Sequence, residues 1–392
     1  MSDQRTAHPV PFATRVRVLG FRSIAECDVA LGPLAVLVGF NASGKSNFLD
    51  ILRFVSDAVE NGPVQAVARR GGLDTLLHRS PARTATSFKI RLNLQLSLRG
   101  LDDRVDAAYG FEIGRDPTEE APLLVLQETG SIMLPSGALN LPLSIHGRGS
   151  RLRLPASAVD EDAPQAVLEG AIRAMRFYDL DTEALRELDE QTSGATYLGP
   201  RGEHLGRVLG TLAEDPTGKE RFDAYLAALI PGALGMQERK EGRYSTVQAW
   251  FRAGDMQPEA RFLRESLSEG TLRGAGTLAA LLQPPASDGR IPLIGIEEPE
   301  TALHPANVNA LYEALDDASQ HTQVIVTSQS SDLLDNEYAH VDHVLAVAND
   351  DGVTHIAPVD TAGRAILDKG IMSLAELHRS GQMRPAIEDG AE

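Results

Sequence analysis

The stretch VGFNASGKSNFLD, Val38 to Asp50, closes a short apolar run and opens a helical one. Within it, Gly39-Phe40-Asn41-Ala42-Ser43-Gly44-Lys45-Ser46 fits G-x4-G-K-[ST], and Asn47 follows in the first helical turn. Upstream, PLAVLVG (Pro33–Gly39) predicts a buried strand. Downstream, Phe48, Leu49, Leu52, Val55 and Val59 recur at helical spacing until ENGP (Glu60–Pro63) stops the helix. Strand, glycine-rich loop and helix are the context this motif requires. The glycines let successive N–H groups face one concavity. The helix N-terminus adds partial positive charge there and Lys45 a full one. Ser46 is placed to offer its hydroxyl oxygen to Mg²⁺, so the loop is expected to bind a nucleoside triphosphate with magnesium.

A phosphate cradle is not by itself a hydrolase. The second motif is IPLIGIEEPETALHP, an apolar strand ending in Glu297-Glu298. Both carboxylates leave the C-terminal edge of a sheet, where ligands of α/β proteins gather. Glu297 can hold magnesium and Glu298 can orient or deprotonate water. An acidic surface turn, or a nuclease metal cluster of Glu297, Glu298, Glu300 and His304, are the competing readings. A third motif, LSEGTLRG (Leu267–Gly274), is a serine cap, a glycine and a helix start.

Around these motifs the chain changes character. TRVRVLGFRSI (Thr14–Ile24) alternates as a strand does. SFKIRLNLQLSLRG, AAYGFEIGR, LLVLQETGSIMLP and LNLPLSIHGRGSRLRLP read as strands joined by turns. Residues 164 to about 229 read as helical, and YSTVQAWFRAG as a further strand. ANVNALYEALDDASQ is an amphipathic helix between the strand IPLIGIEEPE and the strand QVIVTSQSSDLL, which is the βαβ order of a parallel sheet.

The 392 residues carry a net charge of −18. Residues 1–160 hold 18 basic and 16 acidic side chains, so the remaining 19 basic and 39 acidic ones put the acidity in the C-terminal part. That balance argues against an all-over nucleic-acid coat, which needs phosphate neutralisation. RLNLQLSLRGLDDR and HGRGSRLRLP remain local basic strips, read first as solvated strand faces. One cysteine, Cys27, allows no disulfide framework within the chain. The N-terminus lacks the apolar core of a signal peptide and no run reaches membrane-spanning length. A cytoplasmic protein without membrane association is expected. His340, His343 and His355 match no metal-ligand spacing, and the tail PAIEDGAE reads as a frayed end.

Taken together, GFNASGKS, LSEGT, GIEEPETALHP and VIVTSQSSDLLD resemble the ordered motif set of ABC-type ATPase heads, in the branch of RecF, OLD-family and structural-maintenance-of-chromosomes proteins. The stand-alone ATPases of that branch are the most similar, and FYDLD and YLGPRGEHLGRVL resemble them loosely. The resemblance implies an α/β fold: a mixed or parallel central sheet flanked by helices, with an inserted β-rich and helical region. The head would comprise residues 14–85 and 262–365, the insert 86–261 (with the alternative that its first strands belong to the head), and a C-terminal helix and tail 366–392. By the same resemblance, Lys45 and the loop amides of Gly39 to Asn47 hold the β- and γ-phosphates of ATP, and Ser46 and Glu297 serve Mg²⁺. Glu298 is the catalytic base or the residue that orients the attacking water. Ser268 and Gly270 contact the γ-phosphate bound to an opposite subunit in an ATP-dependent homodimer, and Thr301 to His304 form the dimer-interface loop. The family's switch histidine aligns with Gln329, which can hydrogen-bond but carries no charge. Gln127 is the candidate for the family's glutamine loop, beside the plainer reading of a strand-edge glutamine.

Spacing narrows the branch. Lys45 and Ser268 stand 223 residues apart with no heptad arms or Cys-x-x-Cys hook between them. The 63 residues after Gln329 are too few for the nuclease domain of OLD proteins. The expected work is therefore ATP-coupled action on DNA or a DNA-bound partner, in repair or antiphage defence. The alternative is an ATP-gated scaffold that holds or releases a separate nuclease or toxin.

Overall fold

The computed structural model describes residues 12–80, 84–101, 103–115, 123–141, 143, 150–154, 162–190, 197–253 and 257–386. Half of the basic strip HGRGSRLRLP (146–149 and 155), residues 387–392 of the tail and residues 1–11 lie outside them. The chain divides into two compact units: Met1–Met175 with Asp342–Ala365 and Met383–Glu392, and Arg176–Val341 with Ile366–Gln382.

In the first unit, alternation builds an antiparallel sheet. Its strands run in the order Ile24–Ala30, Ala13–Phe21, Ser87–Leu96, Val105–Arg115, Leu123–Leu134 and Gly137–Asn140. Val18 pairs with Ile90 and Ile90 with Phe111, all buried, while Arg15, Arg17 and Arg91 line the exposed face. The RLNLQLSLRG strip is thus the solvated face of a strand, as expected. The helix Lys45–Asn61 sends Phe54 into this sheet, where its ring meets Phe88 edge-on at 5.3 Å and Phe21 at 6.0 Å. The buried Glu128 takes hydrogen bonds from Tyr109 (2.9 Å) and from the N–H groups of Arg153 (2.6 Å) and Leu154 (2.9 Å). Burial still raises its carboxyl above the ordinary range.

The strand Leu34–Val38 is buried along its whole length, as continuous apolar runs are in parallel sheets. Strand Val344–Asp350 pairs with it in parallel, and Val353–Pro358 returns antiparallel to that neighbour.

In the second unit the parallel strands Arg176–Tyr178, Leu293–Glu297 and Gln323–Ser328 lie in that order reversed, with Leu293–Glu297 central. An antiparallel sheet of Ala233–Glu241, Tyr244–Ala253 and Gln257–Leu263 packs with helices Leu205–Leu212 and Pro216–Leu229. Several strands were not read from the sequence, among them Asp189–Glu190, Gln257–Leu263, Val344–Asp350 and Val353–Pro358, and two more show why. Arg176–Tyr178 interrupts the stretch read as helical, because three residues carry no measurable period. Ala233–Glu241 was also missed. Its second half is charged and only its pairing with Tyr244–Ala253, closed over Gly242 and Arg243, holds it extended.

Candidate functional site

The phosphate-loop motif lies in the first unit. Phe40, Asn41, Ala42 and Ser46 are exposed, whereas Gly39, Ser43 and Lys45 are buried. Two glycines are fixed by close approach. A Cβ on Gly39 would stand 2.2 Å from the Val347 carbonyl oxygen, and one on Gly44 would stand 2.1 Å from Thr354 Oγ1. Gly44 also has φ +104°, a conformation side chains resist. It occupies the helix N-cap, with no capping side chain and no acidic residue in the first turn. Lys45 Nζ donates to the carbonyl oxygens of Gly39 (2.8 Å) and Phe40 (3.0 Å), which folds the cation over its own loop. The Ser43 hydroxyl is buried and, among the described residues, has no hydrogen-bond partner. A concave loop, an uncapped helix N-terminus and an adjacent cation suit an anion with several oxygens. Asn47 is tied sideways, its Nδ2 donating to Ser23 Oγ at 2.6 Å.

The acidic motif lies in the second unit. Glu297 ends its strand opposite Thr327, and Glu298 turns out of it at φ 43°. The Glu298 N–H is anchored on Thr327, at 3.1 Å to the carbonyl oxygen and 3.2 Å to Oγ1. Gln329 Nε2 donates to Glu298 Oε2 at 3.0 Å. The residue in the switch position therefore rests on the carboxylate read as the base, although the two stand 31 positions apart. Glu300 turns inward instead. It is 7% exposed, and its Oε1 accepts from Ser328 Oγ at 2.5 Å. That hydroxyl also accepts from the N–H of Ser330 at 3.1 Å, so it holds both sides of Gln329.

Among the described residues, no three His, Cys, Asp or Glu side chains are grouped to hold a metal ion. This removes the nuclease cluster of Glu297, Glu298, Glu300 and His304: Glu300 is sequestered, and His304 Nδ1 accepts from the N–H of Ala306. The Ser46 hydroxyl in the first unit and the Glu297 carboxylate in the second are each oxygen ligands of the kind magnesium takes, alongside several waters and phosphate oxygens.

Burial raises the Glu300 carboxyl above its ordinary value of 4.5, against the opposing hydrogen bond from Ser328. Between the ordinary and the raised value the folded chain holds more protons than the unfolded one, so stability falls as pH rises through that window. Glu300→Gln keeps an acceptor for Ser328 and lacks the titration. Urea unfolding at pH 5 and pH 8 should show a smaller loss of stability on raising the pH than in wild type. An identical pH dependence would refute this burial effect.

The signature-like segment is in the same unit. Ser268 caps the helix Glu269–Leu282, accepting from the Thr271 N–H at 3.1 Å. A Cβ on Gly270 would stand 2.3 Å from the carbonyl oxygen of Ala302, itself at φ 67°. Gly270 thus packs on the Thr301–His304 turn. In Gly270→Ala that turn must move, at a cost of about 1–3 kcal/mol. A melting temperature within one degree of wild type would show that the contact is slack. Arg186 was invisible in the sequence: its Nη2 donates to the Leu267 carbonyl oxygen at 2.8 Å, across 81 positions, just ahead of Ser268. Gln127 is exposed on its strand and accepts from Lys89 Nζ at 2.9 Å.

A G-x4-G-K-S loop on a buried parallel strand, an acid-ended strand in a parallel set and a serine-capped helix define an ABC-type P-loop ATPase head. Over residues 34–136 and 162–335 the chain matches the family described as "AAA domain, putative AbiEii toxin, Type IV TA system", and it belongs to that family. Solved structures agree on the fold. An Smc head bound to the C-winged helix domain of ScpA shares 15% identity and a TM-score of 0.56, covering 90% of this chain and 100% of that one. An Smc head with an extended coiled coil, bound to the C-terminal domain of ScpA derived from Pyrococcus furiosus, shares 12% identity and a TM-score of 0.52, covering 92% and 100%. No match was found among curated proteins. Among the described residues, no helix is long and apolar enough to cross a membrane.

Proposed function

We propose that the protein is a Mg²⁺-dependent ATPase that holds ATP between two copies of the chain. The observation that carries this reading is the 3.0 Å contact from Gln329 to Glu298, an amide aimed at a carboxylate beside the end of an acidic strand. Phosphoryl transfer is mainly positioning and electrostatics, and the residues divide that work. The N–H groups of Gly39 to Asn47 and the Lys45 ammonium bind the phosphates. Ser46 and Glu297 would hold magnesium, which would supply charge neutralisation to the phosphates. Glu298 accepts the proton of the attacking water, and Gln329 orients its carboxylate. Ser268 and Gly270 complete the site on the partner copy, so that the γ-phosphate joins two subunits and its loss parts them.

Closure of the pair would act on DNA or a DNA-bound protein in the cytoplasm, in repair or antiphage defence; here the support is the motif resemblance and the fold. Gln329 also favours a second reading. An uncharged switch residue suits slow turnover, with the dimer as a timed scaffold that holds or frees a separate nuclease or toxin. Phosphate release from ATP by the purified chain tests the first claim, with activity expected in Mg²⁺ and lost in chelator. Stimulation by duplex DNA that fades steeply with salt supports the DNA reading. Turnover indifferent to DNA supports the scaffold. No Mg²⁺-dependent release at all would overturn the ATPase proposal.

A further inference from the structure

Thr354 lies 311 positions from the phosphate loop in sequence and is fully buried against it. Its Oγ1 donates to the carbonyl oxygen of Ser43 at 2.9 Å. That commits its only proton, so the 2.7 Å contact with Ser23 Oγ has Ser23 as donor. Ser23 in turn accepts from Asn47 Nδ2 at 2.6 Å. The orientation of the Asn47 amide is set on its other side, where Oδ1 accepts from Arg22 Nη1 at 3.3 Å. The backbone supports the same arrangement, with the Thr354 N–H donating to the Ser23 carbonyl oxygen at 2.8 Å. Every donor in the series Asn47, Ser23, Thr354 points the same way, and the series ends on a loop carbonyl. Aligned chains of this kind polarise and strengthen one another. Both ends belong to the phosphate-loop segment, while the two hydroxyls between them come from the turn after strand Ala13–Phe21 and from strand Val353–Pro358.

The consequence follows from peptide geometry. The Ser43–Gly44 peptide is trans, and in a trans peptide the C=O and the following N–H point in opposite directions. Pinning the Ser43 oxygen to Thr354 therefore turns the Gly44 N–H away from Thr354. Gly44 has no Cβ to resist this, and Thr354 occupies the space where one would stand.

We propose that Thr354 is a positioning residue for phosphate binding, which through the relay Asn47–Ser23–Thr354–Ser43 presets the Gly44 N–H for a nucleotide phosphate before ligand arrives. The proposal rests on the reading of Gly39 to Asn47 as a phosphate cradle. It assigns a binding role to a residue outside every motif, and it predicts equal effects on ATP and ADP, because it takes the preset group to serve the β-phosphate, which both nucleotides carry.

Calorimetric titration of the full chain with Mg-ATP and Mg-ADP tests it, with Lys45→Ala as reference and melting temperatures recorded for every variant. Thr354→Val keeps the shape and loses the hydroxyl; both nucleotides should bind about tenfold more weakly, a difference of about 1.4 kcal/mol. Thr354→Ser keeps the hydroxyl and should return affinity to within about twofold of wild type. Ser23→Ala removes the upstream donor while leaving the bond to Ser43, with an expected loss of about threefold; it carries the test if Thr354→Val does not fold. Unchanged affinity in Thr354→Val and Ser23→Ala, with binding lost in Lys45→Ala, would overturn the relay and leave the cradle standing. A Thr354→Ser variant as weak as Thr354→Val would also overturn it. Wild-type affinity in Lys45→Ala would remove the cradle, and the relay's role with it.

Discussion

Glu298→Gln is expected to bind ATP as wild type does and to lose hydrolysis, with turnover falling by roughly 100- to 10,000-fold, the range general-base removal gives. The two side chains have the same shape. Position 298 keeps its strained backbone at φ 43°, and its N–H keeps both contacts to Thr327. The amide oxygen can still accept from Gln329 Nε2, so the local geometry has no reason to rearrange. What disappears is the ability to take a proton from water. If the γ-phosphate joins two copies of the chain, blocking its loss leaves the joined state with no exit. Size-exclusion chromatography of the variant with ATP and Mg²⁺ should then show a dimer that wild type forms only transiently. A variant that remains monomeric under those conditions contradicts the shared-nucleotide proposal, whereas a dimer with full turnover contradicts the role of Glu298.

The parts of this fold that were legible in the sequence are those in which local chemistry and tertiary structure agree. Leu34–Val38 is a continuous apolar run because both its faces are buried. Ser268 reads as a cap because its hydroxyl serves an N–H three residues on. The Arg15, Arg17 and Arg91 face reads as solvated because its partners alternate across an antiparallel pair. The parts that were not legible depend on partners far away in the chain. Nothing near Arg176–Tyr178 announces a strand; it is extended because Leu293–Glu297 offers it a parallel edge. Ala233–Glu241 follows the same logic, with its hairpin partner overriding a charged composition. In the candidate site, Glu297 and Glu298 stood out as a pair at a strand end, but Glu300 carries the same chemistry and a different fate. Its burial against Ser328 converts an apparent metal ligand into a brace for the Gln329 turn. Arg186 and Thr354 show the limit most clearly, since each acts through one bond to a carbonyl 81 or 311 positions away. An arginine in a helical stretch and a threonine in a strand carry no mark of such bonds.

Lys45→Ala should weaken Mg-ATP binding by at least about 100-fold, the equivalent of two charge-assisted hydrogen bonds at roughly 1.4 kcal/mol each. The side chain is 5% exposed, and its ammonium serves the carbonyl oxygens of Gly39 and Phe40. A phosphate arriving in the loop offers that cation anionic acceptors in place of neutral ones, a stronger partner at the same position. Removing the ammonium therefore acts twice. It deletes a full positive charge at the loop, and it leaves two carbonyl dipoles without their cation. The second effect distinguishes this residue from an ordinary surface cation, whose loss costs little. The fold has less to lose, because the Phe40 carbonyl belongs to an exposed residue and can turn to water; a fall in melting temperature of a few degrees is the expected ceiling. Calorimetry with Mg-ATP on a variant that retains its melting transition separates the two effects. Affinity equal to wild type would mean that the lysine is structural, and the loop would then be a strand-to-helix turn with no phosphate to hold.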